Sequence, residues 1–197
     1  MIPVTERLQQ IVQAALDNGA SHAAVVSPED IFAKKQFAAF CKDPGCPNYG
    51  RSMSCPPHVS GPEGFRKKLG ESQYAVAVRM EIDSASLLGD DRPQVFRLLQ
   101  KMTAATELKA KSLGFKASEG FASGSCKRSF CDAHESCRVL SGNGKCRFPQ
   151  SARPSMSGYG VNVGKLMKAA GWGARFFSFR DDREEQMVWL AGLVLLK

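Results

Sequence analysis

The chain has 197 residues, 43% hydrophobic and 23% charged, a composition that excludes a disordered protein and suffices for a substantial buried core. It carries a formal charge of +8, and half of that excess stands between Cys126 and Arg153, where Lys127, Arg128, Arg138, Lys145, Arg147 and Arg153 face only Asp132 and Glu135. No apolar run reaches the roughly 20 residues that span a bilayer, and MIPVTERLQQIVQAAL carries neither a basic leader nor a cleavage site, so the expected setting is cytoplasmic with no membrane partner.

Val4, Leu8, Ile11, Val12, Ala15 and Leu16 recur at helical spacing and Gly19 follows as a stop, so a first helix is expected to end near Asn18. HAAVVS reads as a short buried strand, and YAVAVRMEID, from Tyr74 to Asp83, as a clearer one. Between them lies CKDPGCPNYGRSMSCPPH, whose four prolines stiffen a loop that no helix or central strand would tolerate. Arg92 to Leu113 puts Val95, Leu98, Leu99, Met102 and Ala105 on one face and should be the longest helix, stopping at Gly114. FKASEGFAS is expected to be a strand leading to Cys126, and Asn162 to cap a short helix running through Ala170 to Gly171. ARFFSFR and QMVWLAGLVLL, separated by DDREE, suggest an antiparallel hairpin. The interleaving predicts a single α/β domain over 1–197: an α/β sandwich on a mixed sheet, with irregular Cys-rich loops at about 41–58 and 124–156.

Seven cysteines in a reducing compartment point to metal or redox chemistry, since an odd number cannot pair completely as disulfides. The downstream set, Cys126, Cys131, Cys137 and Cys146, offers four thiolates from one segment, enough for a tetrahedral zinc or a single iron–sulfur cluster. Its intervals lack the close pairs of structural zinc knuckles, and the basic surroundings suit an anionic cluster, so an iron–sulfur cluster, 4Fe-4S in form, is favoured over zinc. The upstream set has only Cys41, Cys46 and Cys55. Its fourth donor can be His58, a downstream cysteine, a partner's residue or an exogenous molecule on an open iron. His58 is favoured as a histidine supporting the ligands from behind, His134 as an exposed residue and His22 as a structural one.

The motifs CPNYGRSMSCPPH, GSCKRSFC and CRFPQSARPSMSGYGVNV resemble the family known as domain of unknown function 2284, described as predicted metal-binding, Cys-rich proteins. The likeness runs from about Cys41 to Val163. It implies metal binding, with iron–sulfur favoured, and its cysteine motifs fall on all seven cysteines. The family's RPSM tetrapeptide falls on Arg153 to Met156, and an acidic residue often follows it, where this chain has Ser157. Arg153, Tyr49 and Arg51 can line the site, although Arg153 pairing with a carboxylate and Tyr49 packing on the prolines are equally open.

The expected function is an iron–sulfur protein with one cluster, and a second at the upstream set, acting in electron transfer with a redox protein partner. The competing expectations are a zinc-stapled binding module and a metal-trafficking accessory protein. Nucleic acid is disfavoured as a partner because the aromatic residues are not interleaved with the basic ones.

Overall fold

A computed structural model describes residues 2–42, 45–173 and 187–197. Its chain order begins with α1 (Val4–Asp17), β1 (His22–Val26), the short α2 (Lys35–Ala38), α3 (Gly61–Gly70) and β2 (Tyr74–Asp83). It continues with α4 (Ser84–Leu88), α5 (Arg92–Ser112), β3 (Glu119–Phe121), α6 (Cys126–Phe130), α7 (Val163–Ala169) and β4 (Met187–Leu196). The four strands form one sheet in the order β1-β2-β4-β3, and each neighbouring pair is antiparallel. Among the described residues a parallel pairing is confined to the isolated bridge between Ala122 and Ser155, so the sheet is antiparallel and not mixed as the interleaving of strands and helices suggested.

Strand alternation explains why helices cover both faces of this sheet. In β2, Val76, Val78 and Met80 join Val194 and Leu196 of β4 on one face, where they pack against Leu8, Ile11 and Ala15 of α1 and Val95, Leu99 and Met102 of α5. Ala75, Ala77, Leu193 and Leu195 face the other way, against Phe65 and Leu69 of α3, Leu166 and Met167 of α7, and Tyr159. Each such buried aliphatic or aromatic side chain contributes roughly 1.5–3 kcal/mol, so the central strands are held from two sides. The α/β sandwich anticipated from the interleaved pattern is therefore present.

Several local signals act as their chemistry suggests. Asn162 Oδ1 accepts from the Lys165 backbone N–H at 3.0 Å, capping α7. The helix at 92–112 is the longest, with 21 residues. Leu98, however, is 57% exposed, while Gln100, Thr103, Thr106 and Glu107 are buried. The reason is that α5 is covered on two sides, by the sheet and by the downstream Cys-rich segment, so its inward surface includes polar residues. Thr103 and Thr106 satisfy their hydroxyls on the carbonyls of Leu99 and Met102.

FKASEGFAS yields only the three-residue β3, because Ser118 turns back through both its N–H and its hydroxyl onto the Phe115 carbonyl. The downstream Cys-rich segment is not wholly irregular, since it opens with α6. ARFFSFR, the first arm of the anticipated hairpin, lies outside the described residues, whereas its second arm is β4.

Candidate metal centre

Three backbone hydrogen bonds bring the distant Cys-rich segments together. Ala122, just beyond β3, donates to Pro154 O and accepts from Met156 N, each at 2.9 Å, which fixes the end of the downstream segment beside the sheet. Ser155 N then donates to Ser54 O at 3.2 Å, fastening the upstream segment to it. The upstream segment itself is a succession of turns: Tyr49 N bonds to Cys46 O, Gly50 N to Pro56 O, Cys55 N to Ser52 O and His58 N to Cys55 O.

The result is two neighbouring cavities. The first, about 420 Å³, is lined by Cys41, Cys46 and Cys55, together with Tyr49, Phe96 and Arg128. The second, about 20 Å³, is lined by Cys126, Cys131, Cys137 and Cys146, together with Lys127 and Arg147. Between them runs α6, which lines the first with Arg128 and Ser129 and the second with Cys126, Lys127 and Phe130; Ser125, just before it, has its Oγ 3.4 Å from Cys55 Sγ on the first cavity's wall. All seven thiols are free, with Cys55 buried and Cys146 exposed. Among the described residues, no three His, Cys, Asp or Glu side chains stand close enough together to hold a single ion.

The thiols sense one another. Burial, with the added charge of Cys46 and Cys55, pushes the Cys41 thiol up to about 11. Cys126 is also raised, by burial first; the hydroxyls of Ser54 and Ser52 oppose this, while Cys55 and Cys146, one from each cavity, add to it. Burial raises Cys131 as well, against the pull of Arg147. Cys137 goes the other way: burial would raise it, but the backbone groups of Leu140, Met53 and Val139, helped by Arg147, bring it below its ordinary 9.0. Crowded thiols of this kind ionise together only when a cation neutralises them, so a metal bound by them would release protons.

Lys127 provides the clearest sign of what the second cavity accommodates. It is 4% exposed, its Nζ donates to Cys131 O at 2.8 Å, and no carboxylate pairs with it among the described residues. A buried ammonium is costly without a counter-charge. Thiolates bound to a metal would supply one, and the donor set of four thiols, Lys127, Arg138 and Arg147 suits an anionic metal–thiolate group. The first cavity has the volume for a larger group on three thiols.

Tyr49 lines the first cavity, whereas Arg51 and His58 line neither, and His58 Nε2 lies 3.3 Å from Gly50 O. Arg153 is buried in an ion pair with Glu107 and also donates to the carbonyls of Pro149 and Ala152. Ser157 is on the wall of the first cavity. His134 is exposed, and His22 is 3.4 Å from Glu81. Arg92 and Phe96 line the first cavity without any local sign in their sequence, since they come from α5, outside the cysteine motifs, whereas Phe40 shares a short turn with Cys41.

An antiparallel sheet between helical layers, carrying thiol-lined cavities at one flank, defines a cysteine-rich protein of α/β class. The chain belongs to the family described as predicted metal-binding protein, domain of unknown function 2284, whose pattern matches residues 24–196. No curated protein matches the chain, and no solved structure does. No helix among the described residues is long and apolar enough to cross a membrane.

Proposed function

We propose that this metal-binding protein is an iron–sulfur protein with a redox or electron-transfer role, served by a redox protein partner. Cys126, Cys131, Cys137 and Cys146 would hold one group, 4Fe-4S in form, and Cys41, Cys46 and Cys55 three corners of a second. Bound there, such groups supply one-electron chemistry at potentials set by charge, hydrogen bonding and exposure. The observation that carries this reading is buried Lys127 beside four thiols with no carboxylate among the described residues to neutralise it. Lys127 holds the Cys131 carbonyl, Arg147 lowers the cost of ionising Cys131 and Cys137, and Ser52 and Ser54 do the same for Cys126.

A cluster in the second cavity requires the surrounding 131–147 segment to move outward, because about 20 Å³ is close to the volume of one water-sized occupant. That volume is nearer to a second reading, a single zinc on the four downstream thiols, for which the thiols must also draw closer than they stand. Iron and acid-labile sulfide in protein isolated without oxygen support the first reading. Stoichiometric zinc without sulfide supports the second and overturns the first.

A further inference from the structure

The first cavity is larger than its three thiols need, and the rest of its wall has a consistent chemistry. Arg92 and Arg128 both line it, from α5 and α6, and neither has a carboxylate partner among the described residues. No Asp or Glu among the described residues lines it; Asp90 and Asp91 precede Arg92 in the chain without contributing to the wall. Both arginines are exposed, with the Arg92 guanidinium 5.7 Å from the centre of the Phe96 ring, and two cationic side chains on a wall without an acid make the potential there positive. Arg92 and Pro93 of the first turn of α5 border the same space, and the N-terminal end of a 21-residue helix adds to that potential.

Ser129 belongs to the same wall; it is 0% exposed, and its hydroxyl, which has no hydrogen-bond partner among the described residues, would reach a ligand only if the wall opened. Orphaned buried hydroxyls are uncommon because each forfeits the bond it had in water. The apolar portion of the wall is equally specific: Phe96, Tyr49 and Pro56 form flat surfaces, and Phe40, 76% exposed, stands at the rim. Small-molecule sites typically combine a mostly apolar cavity of about 300–1,000 Å³ with a few placed polar groups.

We infer that the three-cysteine cavity binds a small organic carboxylate with a flat or branched apolar body, its carboxylate on Arg92 and Arg128 and its body against Phe96 and Tyr49. Guanidinium groups match a planar carboxylate through paired hydrogen bonds, and the aromatic wall disfavours a fully hydrated inorganic anion. Such binding extends the reading of this cavity as a site with an open position, yet it requires no particular metal.

The test is calorimetric titration of protein isolated without oxygen, carrying its native metal, with benzoate, inorganic phosphate and benzylamine. Benzoate is expected to bind saturably, phosphate at least tenfold more weakly, and benzylamine not at all. Arg92→Gln and Arg128→Gln should each weaken benzoate at least tenfold, and Ser157→Asp, which places a carboxylate on the wall, should weaken it similarly. Absence of benzoate binding, phosphate binding as tightly as benzoate, or affinity unchanged in the Arg92→Gln/Arg128→Gln double variant overturns the inference. Metal and sulfide assays on the same samples keep the two questions apart: failure to bind benzoate at full iron content leaves the iron–sulfur reading intact, and benzoate binding to an iron-free protein sinks only that reading.

Discussion

Cys55 Sγ donates to Ser125 Oγ at 3.4 Å across seventy residues of sequence, on the first-cavity side of the partition that α6 forms, with Arg128 and Ser129 on one cavity and Cys126, Lys127 and Phe130 on the other. Each cavity therefore shares a wall with the other, and Cys126 feels the charge of Cys55 on one side and Cys146 on the other. Ser125→Val removes the acceptor and crowds the partition, so it is expected to lower the metal content of both sites. Ser141→Val, on the exposed part of the downstream segment, should leave it unchanged. Elemental analysis of the two variants beside the wild type checks this, and a loss confined to one site would show that the partition is not shared.

Arg153 and Glu107 form a second such link, buried on both sides. Glu107 also accepts from Gly120 N at 2.7 Å and pairs with Lys111, while the Arg153 N–H donates to Gln100 Oε1 at 3.0 Å. One ion pair thus joins α5, β3 and the end of the downstream segment. Glu107→Ala leaves a buried guanidinium uncompensated and is expected to cost about 3–5 kcal/mol in urea unfolding. Lys35→Ala, which breaks the exposed pair with Glu63, should cost about 1 kcal/mol or less.

The pH dependence of stability should show the cluster of Glu119, Lys68 and Lys197. Burial works against the Glu119 carboxylate, but hydrogen bonds from Lys197 and Lys68 hold its pKa below the ordinary 4.5. A depressed carboxyl contributes stability above its unfolded value and loses it as pH falls through the folded one. The stability gap between wild type and Glu119→Gln should therefore be full at neutral pH and shrink below about pH 4.5. Lys197 is raised above 10.5, burial being outweighed by Glu119 and Glu71, so its contribution is present below that pH and fades above it. Thermal unfolding across both limbs measures the two effects; a gap that widens in acid would contradict the assignment.

Gly124 has φ +79°, and a Cβ there would lie 2.6 Å from the Phe96 ring on the wall of the first cavity. Gly124→Ala combines a left-handed backbone with that overlap. It should destabilise the protein by at least about 1 kcal/mol and push Phe96 into the cavity. The Tm and benzoate affinity should fall together. A variant with unchanged Tm would mean that the ring moves freely.

The elements with strong local periodicity are legible in the amino-acid sequence. Val4 to Asp17, Tyr74 to Asp83 and the Asn162 cap follow from spacing and capping chemistry alone. The inward polar surface of α5 is not, because Gln100, Thr103 and Glu107 are buried only through a segment that returns fifty residues later. The division of the cysteines into three and four can be seen in their order along the chain. That the two sets share a wall cannot, since it depends on Ala122 holding Pro154 and Met156, and on Ser155 reaching Ser54. Arg153, open in sequence between binding an anion and pairing with a carboxylate, sits against Glu107. Lys127 is visible as one charge among six in the basic stretch; only burial sets it apart.

The most direct test of two thiolate-held sites is the iron and acid-labile sulfide content of protein isolated without oxygen, compared with Cys126→Ser/Cys137→Ser and Cys41→Ser/Cys46→Ser double variants. Two clusters predict iron and sulfide in the wild type and a partial loss in each variant, each removing a different electron paramagnetic resonance signal. An inventory unchanged in both variants, or a wild type without iron and sulfide after anaerobic isolation, would contradict them.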